Sequence, residues 1–246
     1  MSGMQVIIMA AGLGSRLKDL TTATPKALIE AGGRPLIDYA LAFAKAAGAT
    51  RRIVVGGFHH PEVAARVREV APDAVIVENT EYKKGNLISM RTGETALEPG
   101  AFLLMNTDHV YKPAIADVVG AACRAATEIT GFVDYDRTLG PDDMKVGLDA
   151  DRRVKEMAKT LPTWDCGYVG MTFVPAARRD AYFATATKCS AEQGDAIHVE
   201  SILVGLARGG TPPHIADISG HGWLEIDEPH ERAHADEILA RERWWQ

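Results

Sequence analysis

Apolar positions along the chain change period in a regular rhythm. Residues 6–9, Val-Ile-Ile-Met, form a short unbroken apolar run, the pattern of a strand buried on both faces. Residues 35–47 carry apolar side chains at helical spacing, open on Pro35 and stop before Gly48, which predicts a helix. The alternation continues with strands over 51–55, 74–77 and 101–105 and helices over 61–70, 86–97 and 112–124. Such β-α-β-α order argues for an α/β fold with a parallel sheet covered on both faces.

After a strand at 129–133 the rhythm breaks. Residues 134–144 are charged and contain Gly140-Pro141, a loop pattern. Two short runs, 145–148 and 153–157, flank the polar stretch 149–152 and predict a hairpin. A strand is expected over 165–173, helices over 175–188 and 196–208, short strands over 214–218 and 223–226, and an amphipathic helix over 228–243 with Pro229 at its start. No linker-like segment or internal repeat divides the chain, so a single domain over 1–246 is expected.

Composition narrows the field. The 246 residues are 46% hydrophobic and 24% charged, ordinary for a globular domain. Net charge is −6, from 27 cations and 33 anions, and no basic block appears, so a nucleic-acid partner is not expected. No apolar run approaches the roughly 20 residues that cross a bilayer, so no membrane partner is expected either. Cys123, Cys166 and Cys189 are odd in number and widely spaced, which suits buried thiols in a reducing compartment rather than disulfides or a metal clip. With no charged segment leading into a long apolar run near residue 1, the expected location is cytoplasmic.

The chemistry starts where the first strand ends. It runs into Ala10-Ala11-Gly12-Leu13-Gly14-Ser15-Arg16-Leu17, then Thr24-Pro25-Lys26-Ala27-Leu28. Glycines let the backbone approach a ligand, and successive N–H groups in such a turn make an anion-binding concavity. Arg16 adds a forked donor, Lys26 a mobile point charge, and two small alanines leave room for a flat base. The G-x-x-x-x-G-K-[ST] phosphate loop is absent, and Leu17 breaks the dinucleotide fingerprint. A bare G-x-G also fits an ordinary βα turn; the whole string is more specific.

That string, MAAGLGSRL followed by TPKALIEAGGRPLIDYAL, resembles the start of nucleotidylyltransferases that join a nucleotide to a phosphorylated sugar, alditol or alcohol. The resemblance implies a three-layer Rossmann-like nucleotidyltransferase fold with a mainly parallel, mixed central sheet. It implies that residues 10–15 hold an NTP and that Arg16 and Lys26 bind its phosphates as catalytic cations. Residues 1–110 then form the mainly NTP-binding half and 111–246 the mainly acceptor-binding half. Further along, KGN-x-x-S, TDHVY and DCGYVGM are similar to inositol-1-phosphate cytidylyltransferases and, less closely, to bacterial phosphocholine cytidylyltransferases. These motifs point to CTP rather than UTP or GTP.

Two acids complete the reading. Asp108 follows the buried strand 103–106, at the carboxyl end where ligands of open α/β sheets sit, and therefore on the rim of the glycine-rich loop. Asp227 ends the strand 223–226. Each alone suits a strand end or helix cap; together with the loop they suit Mg²⁺, which takes one or two carboxylates plus substrate phosphates. In relatives the matching acids bind the catalytic Mg²⁺, although Asn106-Thr107-Asp108 stands where many of them have G-D or D-x-D. Lys84, Asn86 and Ser89 are candidates to meet the nucleotide, with a plain helix start as the alternative for Asn86. Lys145, by resemblance, meets phosphates in the active site. Lys159, Asp195 and Glu200, with His198 nearby, are candidates for the acceptor. His198-x-Glu200 lacks the P-C-x-x-C of zinc deaminases, and His59-His60 has no partner at metal spacing.

The expected activity is Mg²⁺-dependent transfer of a cytidylyl group from CTP to a phosphorylated small molecule, inositol 1-phosphate, phosphocholine or similar, releasing pyrophosphate. The alternatives are a UTP- or GTP-dependent sugar-1-phosphate nucleotidylyltransferase, a glycosyltransferase of related fold, or an inert nucleotide-binding regulatory relative. A homodimer stays open: Trp244-Trp245 fits either the core or a second copy, and the core is the simpler expectation.

Overall fold

A computed structural model describes residues 3–17, 24–194 and 197–245. The first strand, β1 (Met4–Ala10), lies at the heart of a sheet that has nine strands among the described residues. Its apolar run serves both faces. Val6 and Ile8 point into one core and Ile7 into the other, all fully buried, as the two-residue period of a strand requires. After β1, a 3-10 turn (Lys26–Leu28) and a small hairpin of β2 (Glu30–Ala31) and β3 (Arg34–Pro35) lead into α1 (Leu36–Ala46). The chain then alternates through β4 (Ala49–Gly56), α2 (His60–Val70), β5 (Val75–Glu78), α3 (Asn86–Glu94) and β6 (Phe102–Asn106). In β4 and β6, Val54, Leu103 and Met105 join the first core while Ile53, Val55, Phe102 and Leu104 join the second.

The second half adds β7 (His109–Tyr111), α4 (Pro113–Ala125), β8 (Thr130–Asp134), the hairpin β9 (Lys145–Leu148) and β10 (Val154–Ala158), and β11 (Cys166–Val174). Helices α5 (Arg179–Gln193) and α6 (Ser201–Arg208), strands β12 (His214–Asp217) and β13 (Trp223–Glu225), and α7 (Pro229–Glu242) complete the described chain. The main path of the sheet runs β5-β4-β1-β6-β11-β8-β12. Strands β5, β4, β1 and β6 are parallel; β11 runs antiparallel to both β6 and β8. Helices α1, α2 and α4 cover one face and α3, α5 and α6 the other. The alternation predicts the parallel strands and the helical cover on both faces; the mixed, mainly parallel three-layer whole is the arrangement that the resemblance implies.

Three local departures bear on the site. The antiparallel pair β7–β13 was not expected, because His109–Tyr111 follows β6 after only Thr107 and Asp108. Among the described residues, which leave out Ala196, the predicted helix over 196–208 is helical only from Ser201; Asn86 accepts a hydrogen bond from the Val199 N–H (2.9 Å), which ties the turn at 199–200 to the start of α3. At the C-terminal end Trp245 donates to the Tyr111 carbonyl (2.8 Å) and Trp244 is buried, so both tryptophans pack onto this chain's own core. All three cysteines are buried free thiols, and burial pushes the Cys123 thiol up to about 12.

Candidate active site

Parallel pairing of β1 with β6 sets Met9 beside Asn106, so the glycine-rich loop and Asp108 leave the sheet on the same edge. Thr107 ties the two together by donating to the Met9 carbonyl (2.5 Å). The β7–β13 pair then brings in the second acid. Glu225 lies opposite His109, and the Ile226 N–H donates to the Asp108 carbonyl (3.0 Å), which places Asp227 against Asp108 although 119 positions separate them. Asp227 is not a helix cap: Glu228 caps α7 through a reciprocal box with Glu231, whose carboxylate also accepts from the Asp227 N–H.

Lys26 reaches between the two acids. Its amine donates to Asp108 Oδ2 (2.6 Å) and to Asp227 Oδ1. Arg16 meets the other oxygen of Asp227 at 2.5 Å and Asp142 at 3.6 Å. Burial works against the Lys26 charge, but Asp108 and Asp227 outweigh it and hold the amine above the usual lysine range. Burial likewise opposes ionisation of Asp108, yet Lys26 and His109 hold its carboxyl below the usual carboxylate range. Behind the acids, His109 lies 3.8 Å from Asp108 and 3.5 Å from Glu225. Burial disfavours the charged ring, and these two carboxylates raise its pKa nonetheless.

Two cavities meet at this cluster. The larger, about 460 Å³, is lined by the loop residues Ala10, Ala11, Gly12, Leu13 and Ser15, by Lys26 and Leu36, and by Tyr82, Gly85, Asn86 and Ser89 on the opposite wall. Gly85 sits at φ 118°, which a side-chain-bearing residue rarely adopts, and so turns the chain into α3 at this wall. Ser89 is held by a hydrogen bond from the Asn79 amide (3.0 Å). The smaller cavity, about 190 Å³, is lined by Arg16, Lys159, Tyr168, Glu200 and Glu225 and by the loop residues Asp142 and Asp143. Asn86, Asn106, Asp108 and His198 face both cavities, so a ligand in each would meet at Asp108.

Most of the residues expected from the sequence converge here, and three do not. Lys145 is buried but lines neither cavity; its amine donates to the carbonyls of Gly140 (2.7 Å) and Lys159 (2.8 Å) and so pins the loop that carries Asp142 and Asp143. Lys84 pairs with Glu81 on an exposed 3-10 turn, outside both cavities. Gly14 takes a positive φ of 66° in the loop without lining the larger cavity. Asp195 lies outside the described residues. Sequence reading passed over His109, Glu225 and Arg137. Arg137 pairs with Glu225 (3.2 Å) and Asp143 (3.4 Å) and lies over the Trp223 ring. Of the three, Glu225 alone had a signal in the sequence: the two-residue period of a strand over 223–226 sets it on the same face as Asp227.

The acids fit a small hard cation. Asp108 Oδ1 is buried without a hydrogen-bond partner, and Lys26 and Arg16 meet the other carboxylate oxygens where a metal would draw on them. No group of three or more His, Cys, Asp or Glu that could hold a metal is found among the described residues; a cation between these two carboxylates would have to draw its remaining ligands from substrate and water, an arrangement that suits Mg²⁺. No described helix is long and apolar enough to cross a membrane.

Comparison with known proteins agrees with this geometry. Residues 6–194 match the family model of the MobA-like NTP transferase domain. A 2-aminoethylphosphonate cytidylyltransferase of Lancefieldella rimae is 40% identical over 114 residues, 44% of this chain and 46% of that protein. The chain spans less than half the length of the first curated relatives that it matches. Among solved structures, the inositol-1-phosphate CTP transferase of T. maritima superposes with a TM-score of 0.81 at 20% identity, covering 97% of each chain. The CTP:phosphocholine cytidylyltransferase of Streptococcus pneumoniae superposes with a TM-score of 0.78 at 21% identity, covering 97% of this chain and all of that one. At these identities the likeness establishes the fold.

Proposed function

Because the chain belongs to the MobA-like NTP transferase domain family, we propose that it transfers a cytidylyl group from CTP to a small phosphorylated or phosphonylated acceptor and releases pyrophosphate. The observation that carries this reading is the meeting of two cavities at Asp108, with Lys26 and Arg16 clasping the acids there. The names of the cytidylyltransferase relatives support CTP as the donor.

In this reading the larger cavity takes the nucleotide, its base against Ala10 and Ala11 and facing Asn86 and Ser89. The smaller cavity takes the acceptor. An oxygen of the acceptor's phosphorus group forms a bond to the α-phosphorus; the bond from that phosphorus to the bridging oxygen breaks, and pyrophosphate leaves with the electron pair. A phosphate monoester already carries close to two negative charges at neutral pH, so the attacking oxygen needs no general base. Two anions must instead be brought together, and catalysis becomes positioning and charge neutralisation. Lys26 and Arg16 supply positive charge to the α-phosphate and the leaving group. Asp108 and Asp227 would hold Mg²⁺, which when bound neutralises further phosphate charge. His109 and Arg137 keep the acids and Glu225 in place from behind.

The test is to follow α-labelled CTP with phosphorylated and phosphonylated acceptors. Label joined to the acceptor, whose own phosphorus is retained in a new diphosphate linkage, is the predicted product. Label that appears only as a nucleoside diphosphate or stays in CTP contradicts the reading.

A further inference from the structure

Away from the two cavities at Asp108, a third of about 240 Å³ combines an apolar lining with unbalanced positive charge. It lies at the opposite edge of the sheet. Strands β6 and β8 both run antiparallel to β11 and so share a direction; Asp108 follows the end of β6, whereas Ile129, which lines this cavity, precedes the start of β8. Buried Ile129, Leu206 and Pro213 give the apolar surface. The backbone around them is pinned. The His214 N–H donates to the Ile129 carbonyl (2.8 Å), the Val154 N–H to the Pro213 carbonyl (2.9 Å) and the Thr211 N–H to the Leu206 carbonyl (3.0 Å). The cavity is therefore preformed, and a ligand entering it orders little chain. Three charged side chains line it: Glu128, Arg153 and Arg178. Arg178 donates to Glu128 (2.5 Å) and holds that carboxyl below the usual carboxylate range, with His214 and Arg153 acting in the same sense. The half-buried Arg153 guanidinium has no hydrogen bond or ion pair of its own among the described residues. On a chain of net charge −6, this is a local reversal of sign.

We propose that this cavity is a second ligand site, for a small aliphatic monocarboxylate, with the carboxylate on Arg153 and the body against Ile129, Leu206 and Pro213. Charge sets the head group. Two guanidinium groups and one carboxylate leave a single positive charge at the cavity, which one carboxylate balances and a phosphate dianion exceeds. The planar fork of an arginine matches the two oxygens of a carboxylate. Size sets the body. About 240 Å³ holds roughly eight water-sized groups, which is the size of hexanoate. None of these residues lines either cavity at Asp108, so the site stands apart from the cytidylyl-transfer reading.

Hexanoate, hexan-ol, hexylamine and inorganic phosphate, titrated in turn into the isotope-labelled full chain, test this through the NMR shifts of the Gly210 and Thr211 amides, which border the cavity. Hexanoate is expected to move these amides saturably, with a Kd at least about tenfold below those of the other three, because only it supplies both the charged head and the apolar body. Arg153→Met keeps the apolar stem and should weaken hexanoate by at least about tenfold. Glu128→Gln removes the carboxylate that competes for Arg178 and should tighten hexanoate by about threefold or more; a damaged fold could mimic the loss but not the gain. Asp108→Ala should leave the hexanoate Kd unchanged. No saturable shift of these amides overturns the site, as do equal affinity for the alcohol, a Kd unchanged in Arg153→Met, or weaker binding in Glu128→Gln. Phosphate bound as tightly as hexanoate overturns the monocarboxylate assignment, and a loss of hexanoate binding in a folded Asp108→Ala places the ligand in the active site instead.

Discussion

Replacing Lys26 by methionine removes the cation shared by Asp108 and Asp227 while keeping the length of the side chain. All three side chains are mostly buried, with exposures of 13%, 24% and 11% for Lys26, Asp108 and Asp227. Two carboxylates are then left close together, with Arg16 still on Asp227. Removing one partner of a buried ion pair costs about 3–5 kcal/mol, and the lower figure is the fitting one with Arg16 in place. For a chain of this size about 3 kcal/mol corresponds to a fall in Tm of roughly 6–12 °C at pH 7. The pH dependence has a definite sign. Asp108 has a depressed pKa in the folded wild type, so it contributes stability that is present above the ordinary carboxylate value of about 4 and lost as pH falls below it. In Lys26→Met the buried carboxyl loses that support and takes up a proton at higher pH, which relieves the repulsion. The gap between variant and wild type should therefore be widest at pH 7 and narrower at pH 4.5. Magnesium should raise the Tm of Lys26→Met more than that of the wild type, because the amine no longer competes for the two carboxylates. Thermal unfolding followed by circular dichroism, with and without Mg²⁺, measures all three effects. A variant as stable as the wild type at pH 7, or a gap that widens toward pH 4.5, refutes the electrostatic account; no response to Mg²⁺ refutes the metal assignment.

Other perturbations separate the roles of neighbouring residues. Asp108→Ala should lower kcat by at least about 100-fold, the order expected for removal of a preorganised charge-stabilising group, while circular dichroism shows an intact fold; near-wild-type turnover would contradict its placement. Gly170 holds φ 73°, and a Cβ there would overlap the His109 ring and fall 2.9 Å from the Asn106 amide, so Gly170→Ala should cost about 1–3 kcal/mol in unfolding free energy and lower kcat as well; unchanged denaturant midpoint and turnover would contradict the tight fit. Lys145→Met should raise the acceptor KM by roughly tenfold with a smaller change in the KM for CTP, because the amine fixes the loop of Asp142 and Asp143 rather than touching nucleotide; an equal rise in both constants would favour a phosphate-binding role.

The sheet was largely legible because its strands are buried on both faces, which leaves uninterrupted apolar runs such as 6–9 and 101–105 between helical periods. The hairpin β2–β3 and the pair β7–β13 were not, since strands of two or three residues have no period to read and their pairing is settled by packing under α7. The site divides in the same way. Residues 10–16, Lys26 and Asp108 are tied to the ends of visible strands, so their convergence followed from the strand order. His109 and Arg137 became site residues only through the long-range β7–β13 contact, and no local pattern marks them. Lys145 shows the converse: a lysine at the start of a strand beside a charged loop looks available, yet backbone carbonyls of that loop and of Lys159 take its amine. Asn86 looked like a reader of the base, and it does face the nucleotide cavity, but its carbonyl oxygen also holds Val199 and thereby shapes the wall that carries His198 and Glu200.

Pyrophosphate release across CTP, UTP, GTP and ATP, with Mg²⁺ and 2-aminoethylphosphonate as acceptor, tests the central claim most directly. The account predicts release with CTP that exceeds each of the other three by at least about tenfold and that requires the acceptor. Release that favours another nucleotide, or that proceeds equally without the acceptor, contradicts it.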